Sequence, residues 1–459
     1  MERYHITRSH LGFDSCVIVS ARYNARGIVL NRQTLYPALS FVLRQLPALS
    51  IQVEIRSEPK EKPRFVRVPH VSLDDVVSFV EERPSDYEES LNRLIATQLS
   101  QSFELGALTP LWRLVVVSGC TVIFAYNHGI GDGQSGIAFH RALLCALNSP
   151  SDTINVPGDK VPIPDSLILV PPIEELTSVS VSFLTFLETF FNAFAPMSWT
   201  KKATAWTGNP VAAAASLETN VRCWEIPASD VTQLLRLCRE HKTTLTAFFH
   251  TLLIGVCSRH LTDVKEQNRA LKTIAISIPV SLRRFTGASP YVMCDHASGC
   301  RFYEPITPLV SDVTSLNFPW STASDNSGKV QSGMNKNRET IGTIRYLFTL
   351  GISEEKWKGA LGKKRDVALE LSNVGRFPTP QTDSGDGENT WTISSVYFAQ
   401  CDSAAGSALK INMAGSPTGT VNIAYTWGPG AIEDSLVNKV IEEVGASLSS
   451  ILASSTSHQ

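Results

Sequence analysis

The sequence has no excess of charge of either sign. It contains 41 lysine and arginine residues against 43 aspartate and glutamate residues, which gives a net charge of -2. No segment collects a long block of like charge. A protein dedicated to nucleic acid needs a basic surface that neutralises phosphates. The composition therefore excludes that class, and we expect no nucleic-acid partner.

The sequence also lacks a long hydrophobic run. No stretch reaches the roughly 18 apolar residues that a membrane-spanning helix needs. The first five residues, from Met1 to His5, carry charge where a secretory signal has its apolar core. We therefore expect a cytoplasmic protein without stable membrane insertion.

Proline and glycine are near average usage, at 25 and 28 of 459 residues, and aromatic residues make up 8%. These values exclude collagen-like, low-complexity and wholly disordered chains. The nine cysteines are odd in number, scattered and mostly set in apolar segments, as buried thiols are. We expect a globular protein from a reducing compartment.

Predicted helices and strands alternate along the chain, which indicates an α/β or α+β fold with two comparable lobes. A Gly-Asn-Pro segment followed by alanines reads as a linker, so the first lobe spans residues 1–207, the linker 208–216 and the second lobe 217–459. Apolar spacing predicts helices over 33–46, 87–99, 134–147, 229–241, 245–260 and 433–452, and strands over 16–23, 111–117, 121–127, 221–226 and 272–279, with 111–127 forming a hairpin.

One predicted helix is rich in aromatic residues. Phenylalanines and leucines recur at three- and four-residue spacing from Phe183 to Phe194 and stop before Pro196. Glu188 and Asn192 weaken a membrane interpretation, so the pattern favours packing against the core or between lobes. A substrate-channel wall and a membrane-surface patch stay open as alternatives. The polar segments 322–337 and 379–390 are predicted surface loops.

The segment from Tyr126 to Ser135 carries the most chemical information. His128 follows a buried strand, a glycine-rich turn comes next, and Asp132 stands at the start of a helix. An imidazole titrates near neutral pH, so a histidine that faces a cleft can take a proton from a hydroxyl and return it to a leaving thiolate. Asp132 can cap the helix and fix the turn. On these residues alone, a histidine at a strand end is more often a partly buried core residue with satisfied hydrogen bonds than a base.

Other motifs are incomplete. Residues 131–136 match G-x-G-x-x-G, but Asp132 inside that loop would repel a pyrophosphate, and no acidic residue ends a second strand at the expected place. Cys294, His296 and Cys300 lack a fourth zinc ligand at matching spacing. We therefore expect neither a dinucleotide site nor a metal site.

His128 to Asp132 reads H-x-x-x-D, and here the sequence resembles the fungal alcohol acetyltransferases. That family belongs to the H-x-x-x-D acyltransferase superfamily, with the plant BAHD enzymes, peptide-synthetase condensation domains and chloramphenicol acetyltransferase. Further segments are similar in the same order, at residues 8–13, 110–114, 172–176, 244–248, 279–284 and 371–375.

The resemblance implies two chloramphenicol-acetyltransferase-like lobes with a tunnel between them. It implies an acyl-CoA-dependent O-acyltransferase, most simply one that moves acetyl from acetyl-CoA to a hydroxyl of a hydrophobic small molecule or secondary metabolite. His128 would be the general base, and no acyl-enzyme would form. Acetyl-CoA would be a co-substrate, with no permanently bound cofactor, and we expect a monomer.

The resemblance also assigns the remaining site residues. Asp132 would be structural and ion-paired with Arg283, and Gly133 would let substrate approach the turn. Ser372, Asn373 and Gly375 would line the second lobe's side of the tunnel and stabilise an oxyanion. A surface arginine at 283 and an ordinary turn at 372–375 are the plain alternatives.

Two departures refine the resemblance. The plant D-F-G-W-G motif is absent, since Tyr425 to Gly428 shares only Trp-Gly with it, and Asn127 stands where condensation domains have a further histidine. A stand-alone acyltransferase fits this pattern better than a peptide-bond former. Transfer from a carrier protein or to an amine stays open, as does a non-catalytic member that only binds a ligand.

Overall fold

The computed structural model describes residues 1–54, 63–83, 86–149, 158–349, 353–378 and 390–456. Its strands are β1 (Val17–Asn24), β2 (Ile51–Glu54), β3 (Arg64–Arg67), β4 (His70–Ser72), β5 (Val77–Val80), β6 (Trp112–Val117), β7 (Thr121–Tyr126), β8 (Lys160–Pro162), β9 (Ala205–Trp206), β10 (Asn220–Ile226), β11 (Thr273–Ser281), β12 (Ala297–Pro305), β13 (Leu369–Arg376), β14 (Thr392–Gln400), β15 (Leu409–Gly415) and β16 (Val421–Trp427). Its α-helices are α1 (Glu2–His10), α2 (Arg32–Gln45), α3 (Leu73–Val76), α4 (Tyr87–Leu99), α5 (Gly133–Leu147), α6 (Ile173–Leu176), α7 (Phe183–Phe194), α8 (Ala228–Glu240), α9 (Leu245–His260), α10 (Thr262–Gln267), α11 (Arg283–Thr286), α12 (Trp320–Thr349), α13 (Ser353–Lys358) and α14 (Asp434–Thr456).

The first large sheet has the strand order β14-β1-β7-β6-β5. Its middle is the predicted hairpin, which is confirmed with Val117 opposite Thr121. Ser118 and Gly119 both adopt positive φ, 45° and 63°, in the tight connection between the two strands. Since β7 ends at Tyr126, the hairpin delivers the H-x-x-x-D segment to one edge of a buried sheet.

The second large sheet has the order β10-β16-β15-β13-β11-β12, with β9 beside β11. Strand β13 runs parallel to both of its neighbours, so the sheet is mixed. Helix α9 fills the core beside it with Phe248, Phe249 and Leu252, all fully buried. Thr244 caps this helix, because its side chain accepts from the Ala247 amide at 3.2 Å.

Strand β14 connects the two halves of the chain. It comes from the C-terminal half but pairs antiparallel with β1, from Val17 opposite Gln400 to Asn24 opposite Thr392. The second half of the sequence therefore completes the first sheet. Residues 208–216, predicted as the linker, are tied to the second half, since the Asn209 amide donates to the Ala431 carbonyl. The domain division itself stays a prediction.

The predicted loop over 322–337 is wrong, because this segment lies within the long helix α12. Its serines, asparagines and glycines resemble a loop, yet small polar side chains let the helix pack closely. Asn326 donates to the hydroxyl of Thr251 at 3.2 Å, and Gly333 leaves room for the Cys300 sulfur. Tertiary hydrogen bonds supply what helix propensity does not. Most of the other predicted loop, 379–390, lies outside the described residues.

The aromatic helix is confirmed as α7, but the expectation that it packs into the core is wrong. Phe183 and Leu184 are 73% and 78% exposed, and the described apolar side chains that follow are about half exposed. Periodicity identifies the apolar face of a helix without saying what covers it. Within the described residues, no helix combines the length and hydropathy needed to cross a bilayer. All nine cysteines are free.

Candidate active site

The turn that carries His128 is held by its neighbour Asn127. The Asn127 side chain accepts a hydrogen bond from the Gly129 amide at 2.8 Å and donates to Ser9 Oγ at 3.0 Å. His128 begins a short 3-10 turn directly after β7. Asn127, which stands where condensation domains have a further histidine, therefore shapes the turn and connects it to α1.

Asp132 caps α5 and holds a buried ion pair. Its carboxylate accepts from the backbone amide and hydroxyl of Ser135, both at 3.0 Å. Arg283 donates to Asp132 from Nη2 at 2.9 Å and from Nε at 3.3 Å, so the predicted ion pair is confirmed. The His296 amide donates as well, at 3.4 Å. The hydrogen bonds of Asp132 join the start of α5 to α11 and to the segment before β12.

His128 is largely enclosed, with 18% of its side chain exposed. Its ring stacks on the ring of His5 in α1, with centroids 3.6 Å apart and planes 3° apart. Burial lowers the pKa of His128, and this effect outweighs the nearby negative charge of Asp14. The imidazole is consequently neutral near physiological pH, which is the state a general base requires.

His5 stays neutral for a related reason. Burial lowers its pKa well below the ordinary value, and the adjacent imidazole of His128 lowers it further. Its Nδ1 lies 3.4 Å from Asp14 Oδ2, and its Nε2 lies 3.7 Å from Asp295 Oδ2. Two neutral rings can remain face to face at this distance, whereas two imidazolium ions would repel each other.

Asp295 lies beside both rings. Its side chain is fully buried, and Oδ1 lies 4.0 Å from His128 Nδ1. Neither carboxyl oxygen has a hydrogen-bond partner among the described residues, and neither does His128 Nδ1. Burial raises the pKa of Asp295 well above its ordinary value. A buried carboxyl group with no partner is rare in native proteins and calls for an explanation.

His5, His128 and Asp295 form the group of close metal-type donors in the described part of the chain. The two rings are parallel, so their nitrogen lone pairs lie in separate planes and do not converge on one ion as zinc ligands do. The other candidate metal ligands were Cys294, His296 and Cys300. Both ring nitrogens of His296 already have partners, Thr286 Oγ1 at 3.0 Å and the Pro171 carbonyl at 3.1 Å.

The second sheet approaches the motif at Gly133. A Cβ at this position would lie 2.7 Å from Val374 Cγ1 and 3.0 Å from the Phe398 ring, so β13 and β14 both abut the start of α5. Val374 lies between the predicted residues Asn373 and Gly375. The segment 372–375 is thereby brought to the H-x-x-x-D turn, and glycine at 133 is required by this close approach.

The predicted oxyanion residues are placed as follows. Ser372 is buried in β13. The Asn373 amide donates to Thr246 Oγ1 at 3.1 Å, and its oxygen accepts from the Gly375 amide at 2.9 Å. Gly375 has a φ of 83°, which favours glycine. The side-chain oxygen of Asn373 thus shapes the local turn, and its role toward substrate stays a prediction.

Sequence reasoning missed His5, Asp14 and Asp295. These residues come from α1, the segment before β1 and the segment before β12, so no spacing connects them with His128. The H-x-x-x-D pattern names one acid, and that acid is Asp132. The available signal in the sequence was His5, three residues before Arg8, and a single histidine at this spacing is a weak indication of a site.

The architecture and the placement of His128 define a class of protein. Two mixed sheets with flanking helices, and a histidine turn between strands of both, form the chloramphenicol-acetyltransferase-like fold of H-x-x-x-D acyltransferases. The chain belongs to the alcohol acetyltransferase family, whose model matches residues 1–439. It is an acyltransferase of this family.

Relatives span the whole chain. A probable alcohol acetyltransferase of Aspergillus fumigatus, crmB, is 24% identical over 477 aligned positions, covering 97% of each protein. A probable alcohol acetyltransferase of Fusarium pseudograminearum, FCK4, is also 24% identical and covers 88% of this chain and 83% of its own.

Solved structures share the fold at low identity. The TRI3 trichothecene 15-O-acetyltransferase of Fusarium sporotrichioides superposes with a TM-score of 0.65 at 12% identity, covering 97% of this chain and 93% of its own. The condensation domain of the monacolin K polyketide synthase MokA gives 0.58 at 11% identity, covering 97% and 95%.

Proposed function

We propose that this protein is an acyl-CoA-dependent O-acyltransferase that transfers acetyl from acetyl-CoA to a hydroxyl of a hydrophobic small molecule, with His128 as general base. The observation that carries the proposal is the neutral, mostly enclosed imidazole of His128 at the point where β13 and β14 meet the motif turn. Membership of the alcohol acetyltransferase family supports the same chemistry.

The reaction needs no acyl-enzyme. His128 takes the proton of the acceptor hydroxyl as the oxygen attacks the thioester carbonyl, and a C–O bond forms. The tetrahedral intermediate then expels the CoA thiolate as the C–S bond breaks. The imidazolium returns its proton to the sulfur, which releases free CoA and the ester. Base catalysis of this kind contributes about 10² to 10⁴ in rate.

The oxyanion of that intermediate needs donors from the second sheet. Ser372 and the second amide hydrogen of Asn373 are the proposed donors, because β13 abuts Gly133 at the motif turn. Gly375, whose amide donates to Asn373, would line the same side and fix the turn that presents them. Preorganised donors at such a site stabilise charge that develops in the transition state. Gly133 itself keeps the backbone of the turn approachable.

We further propose a secondary-metabolite alcohol as acceptor and a monomeric enzyme. TRI3 is a trichothecene 15-O-acetyltransferase, and its shared fold supports a terpenoid alcohol in the substrate panel. The location we propose is the cytoplasm, at the periphery of an intracellular membrane. The nine free cysteines support a reducing compartment, and the exposed apolar side chains of α7 support membrane contact.

The test is release of the CoA thiol from acetyl-CoA with a panel of terpenoid and polyketide alcohols. We expect alcohol-dependent release by the wild type and a loss of about 10² or more in kcat for His128→Ala. His140→Gln is the matched control, since His140 is buried but hydrogen-bonded within the first lobe. Equal rates for wild type and His128→Ala would show that His128 is not the general base. Activity only with a carrier-bound donor, or with amines, would select the alternative transfers.

A further inference from the structure

Helix α7 presents its apolar face to solvent. With 3.6 residues per turn, six exposed apolar side chains fall within an arc of roughly 160°, and they are 45% to 78% exposed: Phe183, Leu184, Phe186, Leu187, Phe190 and Phe191. A helix on a soluble protein normally turns such a stripe toward the core. The start of α7 is held instead by polar contacts, since Ser182 Oγ donates to Glu339 Oε2 of α12 at 2.7 Å.

The exposed surface continues past the helix. Met197 is 53% exposed and Trp199 is 71% exposed. A basic group follows within a few residues. Lys201 shares a recess with Arg301 and Lys329, and Lys364 contacts the Ala203 carbonyl in the same turn.

This basic group carries a surplus of positive charge. Lys202 and Arg301 share Asp366, and Lys329 lies 3.8 Å from Glu304. Five cations therefore stand against two carboxylates: Lys201, Lys202, Arg301, Lys329 and Lys364 against Glu304 and Asp366. The chain therefore passes from an exposed apolar face directly into a basic group, which we call the basic border, and this combination matches an anionic surface.

We propose that α7, Met197 and Trp199 form a membrane-docking surface that lies in the headgroup region of a bilayer containing anionic lipid. Phenylalanine and leucine on one face of an amphipathic helix, with cations at the border, are the chemistry that binds such an interface. Tryptophan is suited to the headgroup level because its ring is amphipathic. The basic border selects lipid phosphate over a second copy of this chain, whose own border would carry the same charge.

The test is sedimentation of the full chain with vesicles of phosphatidylcholine, alone or mixed with phosphatidylserine. The wild type binds the mixed vesicles, and the triple variant Phe183→Ser, Leu184→Ser, Phe190→Ser binds at least about tenfold more weakly. Leu108→Ser removes an 88% exposed leucine elsewhere and binds like the wild type. Lys201→Glu weakens binding to the mixed, anionic vesicles and leaves binding to phosphatidylcholine vesicles unchanged.

Three outcomes would overturn the docking surface. The wild type could fail to sediment, or the triple variant could bind as well as the wild type. Light scattering without vesicles could also show a dimer that the triple variant converts to a monomer, which would assign the face to a second copy. None of these measurements depends on acetyl transfer.

A second inference comes from the unpartnered carboxyl of Asp295 and rests on the proposed role of His128. Both oxygens of Asp295 and the Nδ1 atom of His128 lack hydrogen bonds to other described residues, and Nδ1 lies 4.0 Å from Asp295 Oδ1. Such contacts shorten when substrate completes a site. His5 lies against both groups and keeps the ring plane of His128 fixed. The backbone of His128 also acts on its own ring and raises the pKa, against the larger effect of burial.

The geometry assigns Asp295 as a positioning residue: when the 4.0 Å gap closes, its carboxylate accepts a hydrogen bond from His128 Nδ1 and stabilises the imidazolium formed during transfer. The base atom is then Nε2, the other nitrogen of the ring. The positive ring beside Asp295 favours its ionised form, which opposes the effect of burial on the pKa of this acid. The titratable groups around the pair also act on it. They are the amino group of Met1 and the side chains of Glu2, His5, Arg8, Asp14, Asp132 and Glu174.

The test is a double-mutant cycle with Asp295→Asn and His128→Ala. Asp295→Asn alone should lower kcat about tenfold or more with little change in KM, and should move the acid limb of activity to lower pH. In the His128→Ala background it should have no further effect, because residues that act as a unit are non-additive. Equal losses in both backgrounds would make Asp295 merely structural.

Nitrogen NMR of histidine-labelled protein keeps this test separate from the proposed function. His128→Ala assigns the His128 signals, and Asp295→Asn should shift the Nδ1 and Nε2 resonances and lower the pKa of that ring, whether or not acetyl is transferred. Unchanged His128 signals in Asp295→Asn would overturn the assignment.

Discussion

Asp132 and Asp295 are two buried acids beside the same histidine, and their surroundings differ in almost every respect. Asp132 accepts five hydrogen bonds, from Ser135, Arg283 and the His296 amide. Asp295 accepts none from any described residue, although it faces His5 and His128. Asp132, the acid of the H-x-x-x-D motif, is engaged in holding the structure together. Asp295, which belongs to no motif, is available to act on the imidazole.

This difference has an energetic basis. A buried carboxylate is costly unless hydrogen bonds and an opposite charge replace its water. Asp132 has both, so it can join α5 to α11 without another purpose. Asp295 accepts no hydrogen bond from a described residue, although the positive charge of the Met1 amino group acts on it. Buried acids without hydrogen bonds concentrate where a protein performs chemistry.

Removing the partner of Asp132 tests the architectural half of the comparison. Arg283→Met leaves a buried, unpaired carboxylate, and we expect it to lower the free energy of unfolding by about 3 to 5 kcal/mol. Urea denaturation measures this. The double variant Asp132→Asn, Arg283→Met should recover part of the loss. Arg32→Met is the control, because its pair with Asp74 is exposed and should cost less than about 1 kcal/mol.

If Arg283→Met costs no more than Arg32→Met, the contrast between the two acids fails on its structural side. The buried ion pair would then contribute no more to stability than an exposed one.

Gly133 sharpens the comparison, because a substitution there leaves both acids in place and displaces the second sheet. Gly133→Ala puts a Cβ against Val374 and Phe398, and overpacking of this kind costs about 1 to 3 kcal/mol. We expect a thermal midpoint lower than that of the wild type and reduced turnover. Gly287→Ala is the control for strain without contact, since nothing lies near its Cβ. Full turnover in Gly133→Ala would show that catalysis does not depend on the contact between the motif turn and β13.

The smallest expected effect is on the pH profile. Burial lowers the pKa of His128, so the base is still mostly neutral at pH 6.5, the ordinary value, and is lost only as pH falls through the lower value. We expect kcat/KM to stay level down to about pH 6.5 and to decline below it. A decline that begins above pH 7 would assign the limb to a group other than His128.

Several features of this site were predictable from the sequence because they are local. The hairpin, the capped helix α9 and the turn from His128 to Asp132 each depend on neighbouring residues. The Arg283 partner came from the family resemblance. Asp295 was not predictable, since it meets His128 only through the packing of segments more than 160 residues apart.

The same limit explains what the sequence did not indicate and where the predictions were wrong. The pairing of β14 with β1 joins residues about 370 to 380 positions apart, and no local pattern encodes it. Helix α12 is stabilised by Asn326 and Asn337, whose side chains bond α9 and β12 but favour loops in isolation. Helix α7 has the amphipathic pattern of a buried helix, and the pattern alone does not specify its partner.

The most direct test of the comparison measures Asp132→Asn and Asp295→Asn side by side, for both unfolding in urea and alcohol-dependent release of CoA. We predict that Asp132→Asn lowers the free energy of unfolding by several kcal/mol and that turnover falls with it. Asp295→Asn should unfold within about 1 kcal/mol of the wild type and lose turnover about tenfold or more. Turnover at the wild-type level in Asp295→Asn, or a stability loss equal to that of Asp132→Asn, would contradict the division of roles between the two acids.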